Sequence, residues 1–477
     1  MSNFVNFDAR VRTEVQPDAR KGKGQDQFHY QKLAEAFLES CGTHYRYHQD
    51  RVLRYTGTRY VIDSALSMRV RLYLLKKKIP QNNNIIGNTV PIIQTIVYMD
   101  QEKYPQLPAW IGRQVNVKNL VAYKNGILDV ERAIEGDHTL TPHTPDWVSL
   151  NSLPYSYDPS VKCPLWLSFL NEIFERDAKR IALLQEWFGY CLLPDPSRQK
   201  FLVMTGPPRS GKGTVSTVMT AMLGEENVSG YNLPSLAKHF GLRPLVGKLL
   251  ANVGEVNLQG NPDKAEIVNR LKTITGCDGV DIETKYLAEQ ESVKLYVRFM
   301  LSCNEIPKLP DTSGAVADRL MVLPFQLSVP EDQRDPNLAA KLIGEIVGIN
   351  IWAIGGLARL RKSGFTTSEQ MAKHVNEVRK DGSTVLGFLQ ERCYVASSLD
   401  TRNLPGVSFK PDDAIPDIRK TMLAQAYEQY CEENDVVFNP GWFWKNLKIV
   451  LPKIETSKPT VNGQRVPSYR GLELKEI

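Results

Sequence analysis

Two hydrophobic rhythms divide the chain. Before residue 200 the pattern is mixed, and residues 1–27 are polar enough to read as a flexible tail. Tyr30 to Cys41 has helical spacing. RVLRYTGTRYVID, residues 51–63, alternates about Gly57 and predicts a small hairpin. YKNGILDV, residues 123–130, predicts a second strand pair turned by Asn125-Gly126. A stretch rich in Pro and Asp, residues 141–164, reads as a linker, and Leu165 to Leu193 reads as helical. From 200 to 330 apolar runs alternate with helical periods, as a parallel sheet with covering helices requires. Strands are predicted at Phe201–Thr205, Lys248–Val253, Leu295–Ser302 and Leu320–Phe325. Leu342 to Leu360 is the most membrane-like run, but Glu345 and Asn350 interrupt it and predict a buried helix. A helix at 367–380 opens on a capping-box-like Thr367-x-x-Gln370. Two helical segments, 418–433 and 441–450, precede a basic strand-like end that turns at Asn462-Gly463, the outline of a winged helix.

The run KFLVMTGPPRSGKGTVSTVM, residues 200–219, carries the strongest chemical signal. An apolar strand leads into Gly206, Pro207, Pro208, Arg209, Ser210, Gly211, Lys212, Gly213 and Thr214, and a helical pattern follows at once. Strand, glycine-rich loop and helix in that order form a phosphate cradle. The glycines let backbone N–H groups approach phosphate oxygens, and the helix N-terminus adds partial positive charge. Lys212 is placed to reach the β and γ phosphates. The usual hydroxyl after the lysine is replaced by Gly213, so Thr214 is the candidate Mg²⁺ ligand one position later.

Hydrolysis of a bound nucleotide needs a carboxylate, a polar sensor and positive charge for the transition state. KLLANVGEVN, residues 248–257, is an apolar strand ending in Glu255, a candidate for ordering metal or water. KLYVRFMLSCNEIP, residues 294–307, ends a longer strand at Asn304. DTSGAVADRLMVLPF, residues 311–325, sets Arg319 just before another strand. Each residue also has a plain reading: a solvated acid, a turn former, and an ion pair with Asp318 or Asp311. Their order makes the case, because successive strand ends are expected to converge at one sheet edge.

Charge and cysteines change the picture little. A net charge of +6 permits a nucleic-acid partner without requiring one. The seven cysteines form no CxxC pair, and an odd number argues against a disulfide framework. With no apolar signal core at the N-terminus, the expected location is a reducing cytoplasm, with no membrane partner. The charge is unevenly spread. Between Gly441 and Ile477 seven basic residues, including Lys445, Lys448, Arg465 and Arg470, face three acids, a local excess of +4. Trp442, Trp444 and Tyr469 lie among them, a composition suited to phosphate contact. A solvated charged face over an aromatic core is the competing reading.

Taken together, GPPRSGKGT, LLANVGEVN, LKTITGCDGVDIETKY, FMLSCNEIP and DTSGAVADRLMVLPF resemble the superfamily 3 helicases of the AAA+ class. More narrowly they resemble the helicase portion of phage and plasmid primase-helicases, related to the poxvirus helicase-primase. YKNGILDV, LPYSYDPSVKCPLW and LQEWFGYCL are similar to the region preceding the motor in that family. The resemblance covers about residues 30–477 and implies an α/β fold: an AAA+ P-loop motor with a mixed α/β N-terminal domain and a C-terminal winged helix. The expected division is a flexible 1–27, a mixed domain at 28–150, and a linker and helical collar at 151–195. The motor follows at 196–365, and a helical linker with the winged-helix DNA-binding domain at 366–477.

The resemblance implies ATP and Mg²⁺ as cofactors and a DNA helicase that translocates on single-stranded or forked DNA. The active species would be a homo-oligomeric ring, expected to be a hexamer. It gives Lys212 to the phosphates, Glu255 to the Mg²⁺–water site, Asn304 to sensing, and Arg319 to a neighbour's nucleotide. Lys272 to Tyr286 matches a motif that shapes a DNA-contacting hairpin, with Lys285 near its tip and Lys272 in the same motif. Gly213 and Gly254 depart from the family pattern and bear on Mg²⁺ coordination. Paired acids for primase chemistry are not evident before the motor, so any primase or polymerase is expected to be a separate protein. Two rivals remain: an ATP-gated initiator or scaffold that does not translocate, and a nucleoside monophosphate kinase. GKGT recurs in the kinases, but their loop usually starts near the N-terminus.

Overall fold

The computed structural model describes residues 23–256, 258, 262–282, 291–307, 309, 311, 314–400, 404, 406–434, 438–461 and 463–475. The first part of the chain packs three helices, α1 (Lys23–Ser40), α2 (Leu66–Lys76) and α3 (Asn83–Ile96), with a small antiparallel sheet. That sheet joins β1 (Tyr45–His48), β2 (Arg51–Tyr55) and β3 (Tyr60–Ile62). The hairpin expected about Gly57 forms, with Leu53 opposite Ile62. Helix α1 begins earlier than its apolar spacing suggests. A second hairpin, β4 (Leu120–Tyr123) and β5 (Gly126–Asp129), pairs Tyr123 with Gly126, so Lys124 and Asn125 make the turn. The turn lies one residue earlier than predicted, and Gly126, at φ 151°, starts the strand.

The expected single helix at 165–193 is two: α4 (Pro164–Ile173) and α5 (Ala178–Tyr190). Glu175 and Arg176 take positive φ between them. Asp177 then caps α5 by accepting from the N–H groups of Lys179 and Arg180.

The central domain is built on a five-stranded parallel sheet. In chain order its elements begin with β6 (Phe201–Thr205), α6 (Lys212–Leu223), β7 (Val228–Tyr231), β8 (Leu250–Glu255) and α7 (Lys264–Thr275). An antiparallel pair follows, β9 (Gly279–Ile282) with β10 (Glu291–Lys294). Then come β11 (Arg298–Cys303), α8 (Ala315–Arg319) and β12 (Leu320–Pro324). The strand order is β7-β8-β11-β6-β12. Both faces are covered, which explains why these strands read as continuous apolar runs. Leu202, Met204, Met300 and Leu323 face one core, while Phe201, Val203, Phe299 and Val322 face the other. The edge strand β7 was not anticipated, because Val228-Ser-Gly-Tyr231 is short and carries Ser and Gly.

The apolar run 342–360 forms α9 (Leu338–Ile343) and α10 (Ile346–Ser363). Among the described residues no single helix is long and apolar enough to cross a membrane. Helix α10 instead packs on α5 so closely that a Cβ on Gly356 would meet the Gln185 carbonyl oxygen at 2.3 Å. Below that contact, fully buried Glu186 accepts from Arg359 Nε at 2.6 Å and from Thr366 N at 2.7 Å.

Helix α11 (Glu369–Gly382) is capped by Ser368, whose Oγ accepts from Met371 N, not by Thr367. The last domain holds α12 (Thr384–Arg392), β13 (Cys393–Ala396) and β14 (Ser408–Lys410), then β15 (Ile418–Arg419), α13 (Lys420–Glu433) and α14 (Pro440–Val450). It closes with β16 (Thr456–Ser457), β17 (Ser468–Tyr469) and β18 (Leu472–Leu474). Two three-stranded sheets result, β14-β13-β18 and β15-β17-β16, with a separate short pair between Thr460–Val461 and Gln464–Arg465. Residues 418–419, expected as helix, form a strand against Tyr469 and Ser468.

Candidate nucleotide site and its surroundings

Strand β6 ends at Thr205, and the loop to α6 turns on backbone conformations that favour glycine. Gly206 has φ 145° and Gly211 has φ 95°. A Cβ on Gly206 would lie 2.0 Å from the Phe325 carbonyl oxygen, so only glycine fits there. Gly211 is the N-cap of α6 and presses on Ile173 and Phe169 of α4. The loop is stitched from outside as well. Val329 N donates to Arg209 O at 3.0 Å, and Ser328 Oγ donates to Pro208 O at 2.9 Å.

The Lys212 ammonium lies inside the loop. It donates to Gly206 O at 2.6 Å, Pro207 O at 2.8 Å and Ser210 Oγ at 3.2 Å. Burial lowers its pKa from the ordinary lysine value. A cleft of about 1040 Å³ opens over the loop and is lined by residues 208–214, including Lys212 and Thr214. Asn304 lines the same cleft. Strand register explains why: Cys303 pairs with Thr205, so Asn304 stands level with Gly206. Thr205 Oγ1 ties the two strand ends by donating to Asn304 O at 3.1 Å.

Residues fit a phosphate group here. Backbone N–H groups open a helix of twelve residues, and one lysine sits among them. Gly213 has nothing within 4 Å of a built Cβ, so sterics do not explain the missing hydroxyl. Among the described residues no group of three His, Cys, Asp or Glu side chains could hold a metal ion.

Glu255 is exposed at the carboxyl end of β8, the same sheet edge. Its strand shifts register between Val253 and Glu255, a bulge at Gly254. Glu255 thus pairs with Ser302 and stands two strands from the phosphate loop. It does not line the cleft.

Arg319 does not converge with the others. Leu320 pairs with Phe201 at the start of β6, which puts Arg319 at the amino edge, opposite the phosphate loop. The reason is the parallel register: Arg319 precedes its strand, whereas Gly206, Glu255 and Asn304 follow or end theirs. Its Nη1 donates to Ala315 O at 3.2 Å. The two acids considered for it are engaged otherwise, Asp318 with Arg379 at 2.6 Å and Asp311 with Lys272 at 3.2 Å.

That second pair also engages Lys272. Its ammonium is tied to buried Asp311, which accepts from Val316 N in the first turn of α8 at 2.7 Å. Strands β9 and β10 do form a hairpin stem, with Ile282 opposite Glu291. Lys285 lies outside the described residues.

In the last domain Lys445 and Lys448 are exposed on one face of α14, with half-exposed Trp442. Arg465 is exposed on a short strand, Gln464–Arg465, that pairs antiparallel with Thr460–Val461 between β16 and β17. Arg470 is exposed too, but Asp417 at 3.7 Å and Glu455 at 3.9 Å share its charge. Trp444 and buried Tyr469 lean together at 5.5 Å, so those two aromatics serve the core.

The cleft recruits residues that no motif announced. Phe169 and Ile173 reach it from α4, and Val329, Arg334 and Leu338 from the segment after β12. Their only sequence trace is a helix placed before the phosphate loop and a polar Pro-rich run, residues 330–336, after it.

With this geometry in place, the chain can be set beside known proteins. Residues 34–175 match a family described as D5 N terminal like. That match runs through α4, so it includes the first helix on which the phosphate loop rests. Residues 204–319 match a family of unknown function, DUF5906, which spans the segment from β6 to Arg319. Two apo structures of the NrS-1 C terminal region are similar over nearly the whole chain. One has 15% identity and a TM-score of 0.53, covering 92% of this chain and 98% of that one. The other has 15% identity and a TM-score of 0.50, covering 93% and 99%. At this identity the likeness is one of fold.

Proposed function

We propose that this protein is an ATP-driven DNA helicase of the superfamily 3, AAA+ type, acting as a ring in phage, plasmid or viral replication. The observation that carries the reading is the union of Lys212 and Asn304 in one cleft at the carboxyl edge of the parallel sheet. Ligands of such sheets bind in the crevice outside the carboxyl ends of the strands. The phosphates of ATP would rest on the N-terminus of α6 and on Lys212. Mg²⁺ would come with the nucleotide, neutralising phosphate charge, with Thr214 and Glu255 as its partners on the protein. Glu255 would order the attacking water and Asn304 would sense the γ-phosphate. Arg319, on the far edge, would serve the nucleotide of an adjacent subunit, which calls for a ring, a hexamer in the family resembled.

The D5 N terminal like match and the NrS-1 likeness support a phage-type primase-helicase reading. A primase or polymerase would be a partner. The two helices α13 and α14 beside the β15-β17-β16 sheet support a winged helix, which would present Lys445, Lys448 and Arg465 to DNA. Arg470, shared with two acids, would contribute less.

ATP hydrolysis with and without single-stranded DNA, measured beside strand displacement on a forked duplex, tests the reading. Stimulated hydrolysis and displacement are expected, both lost in a folded Lys212→Ala protein. Hydrolysis without displacement would favour the ATP-gated initiator. Near-normal turnover by Lys212→Ala would overturn the phosphate-loop assignment.

A further inference from the structure

A second cleft lies where the first domain meets the central one. It measures about 500 Å³, and its lining includes Lys103, Arg113 and Lys118 with Tyr104, Trp110 and Tyr296. No Asp or Glu lines it. All three cations are exposed, and among the described residues none has a carboxylate partner. Two are held over aromatic rings: Arg113 over Trp110 at 5.0 Å, and Lys103 over Tyr104 at 5.5 Å. A ring face holds a cation without neutralising its charge.

The cleft continues into a smaller one that shares Gln106, Pro108 and Tyr296, adds Lys248 and Lys294, and again has no acidic lining. Lys118 and Lys294, from opposite sides of the seam, both press positive charge on the Cys277 thiol, although burial sets that thiol's net upward shift. The seam itself is fixed. Tyr296 follows the end of β10 and donates its hydroxyl to Gln106 Oε1 in the first domain.

We propose that this seam binds the phosphate backbone of a DNA single strand, at the root of the β9–β10 stem. A run of cations without acidic lining, beside aromatic walls, is the recognition chemistry of single-strand grooves. The volume is of the order that holds one or two nucleotides, roughly that of a drug-sized site, and is too small for a duplex. The inference rests on the proposed DNA reading but not on translocation.

The test is anisotropy of a fluorescent oligo-dT strand with the full chain, across a salt series. The double substitution Arg113→Gln with Lys118→Gln should flatten the salt slope by about 1.4, at ~0.7 for each single-strand phosphate that is no longer neutralised. At 0.1 M salt that corresponds to about twenty-five-fold weaker affinity. ATP hydrolysis without DNA should be unchanged, which shows that the variant folds. Photo-cross-linking of 5-iododeoxyuridine strands should mark the peptide containing residues 103–118. Parent-like slope and affinity, or cross-links confined to other segments, would overturn the proposal. So would displacement of the strand from the seam by a free mononucleotide. A parent protein that binds here, loses binding on substitution, yet unwinds nothing would fail the helicase reading alone.

Discussion

Replacing Arg319 with alanine should stop ATP turnover while leaving each subunit's own nucleotide cleft intact. Leu320 pairs with Phe201, and the phosphate loop begins beyond Thr205. Five residues of strand at about 3.3 Å each separate the two levels by roughly 16 Å. An extended arginine side chain spans about 7 Å by standard bond lengths. Arg319 therefore falls well short of its own Lys212, so any role it has at a nucleotide would be at a neighbour's. An arginine supplied across an interface contributes about 10³–10⁵ in rate, roughly 4–7 kcal/mol of barrier. Arg319→Ala and Lys212→Ala proteins should each be inactive alone. In a head-to-tail ring of equal mixture, about one interface in four pairs an intact Lys212 pocket with an intact Arg319. Phosphate release should accordingly return toward a quarter of the parent rate on mixing. Two results would refute the reasoning: no recovery in rings whose mixed composition is verified by differential tags, or parent-like turnover by Arg319→Ala alone.

Gly206→Ala should weaken binding of an ATP analogue and lower the melting temperature, because its Cβ would sit 2.0 Å from Phe325 O at a φ costing about 1–3 kcal/mol; titration calorimetry and a thermal melt check this. Glu255→Gln should bind nucleotide normally in a fluorescent-analogue assay but hydrolyse it about 10²–10⁴ times more slowly, and normal hydrolysis would move the catalytic carboxylate elsewhere. Thr214→Ala should raise the Mg²⁺ concentration needed for half-maximal turnover, while an unchanged Mg²⁺ dependence would remove Thr214 from the metal site. Glu186→Ala should destabilise the α5–α10 contact by about 1–3 kcal/mol in denaturant unfolding, since it removes the acceptor of Arg359 Nε and of the Thr366 N–H, although Arg359 keeps Ala182 O and Gln185 Oε1; stability within about 0.5 kcal/mol of the parent, on the order of a surface change, would count against it.

Local structure was largely legible. Gly206, Gly211 and Lys212 follow an apolar strand and open a helix in both pattern and structure, because backbone conformation and strand burial are written in neighbouring residues. The same holds for the β2–β3 hairpin and for four of the five parallel strands. Misplaced details were those decided by short-range competition among near-equal choices. Lys124-Asn125 took the turn from Asn125-Gly126, Ser368 took the cap from Thr367, and Asp177 cut one expected helix into two.

What the sequence determined by itself was an ordered set: a phosphate loop, an acid, an amide and an arginine, each next to a strand. Order along the chain cannot say which end of a sheet a residue occupies. Parallel register decided that, bringing Asn304 to Lys212 and sending Arg319 to the opposite edge. Tertiary contact likewise gave Lys272 a partner, Asp311, that its motif does not announce. It also assembled Lys103, Arg113, Lys118 and Tyr296 along one seam, although almost 200 residues separate the first from the last. Burial and hydrogen bonding act between groups close in space, and that closeness is set by the packed sheet, which no local run of residues contains.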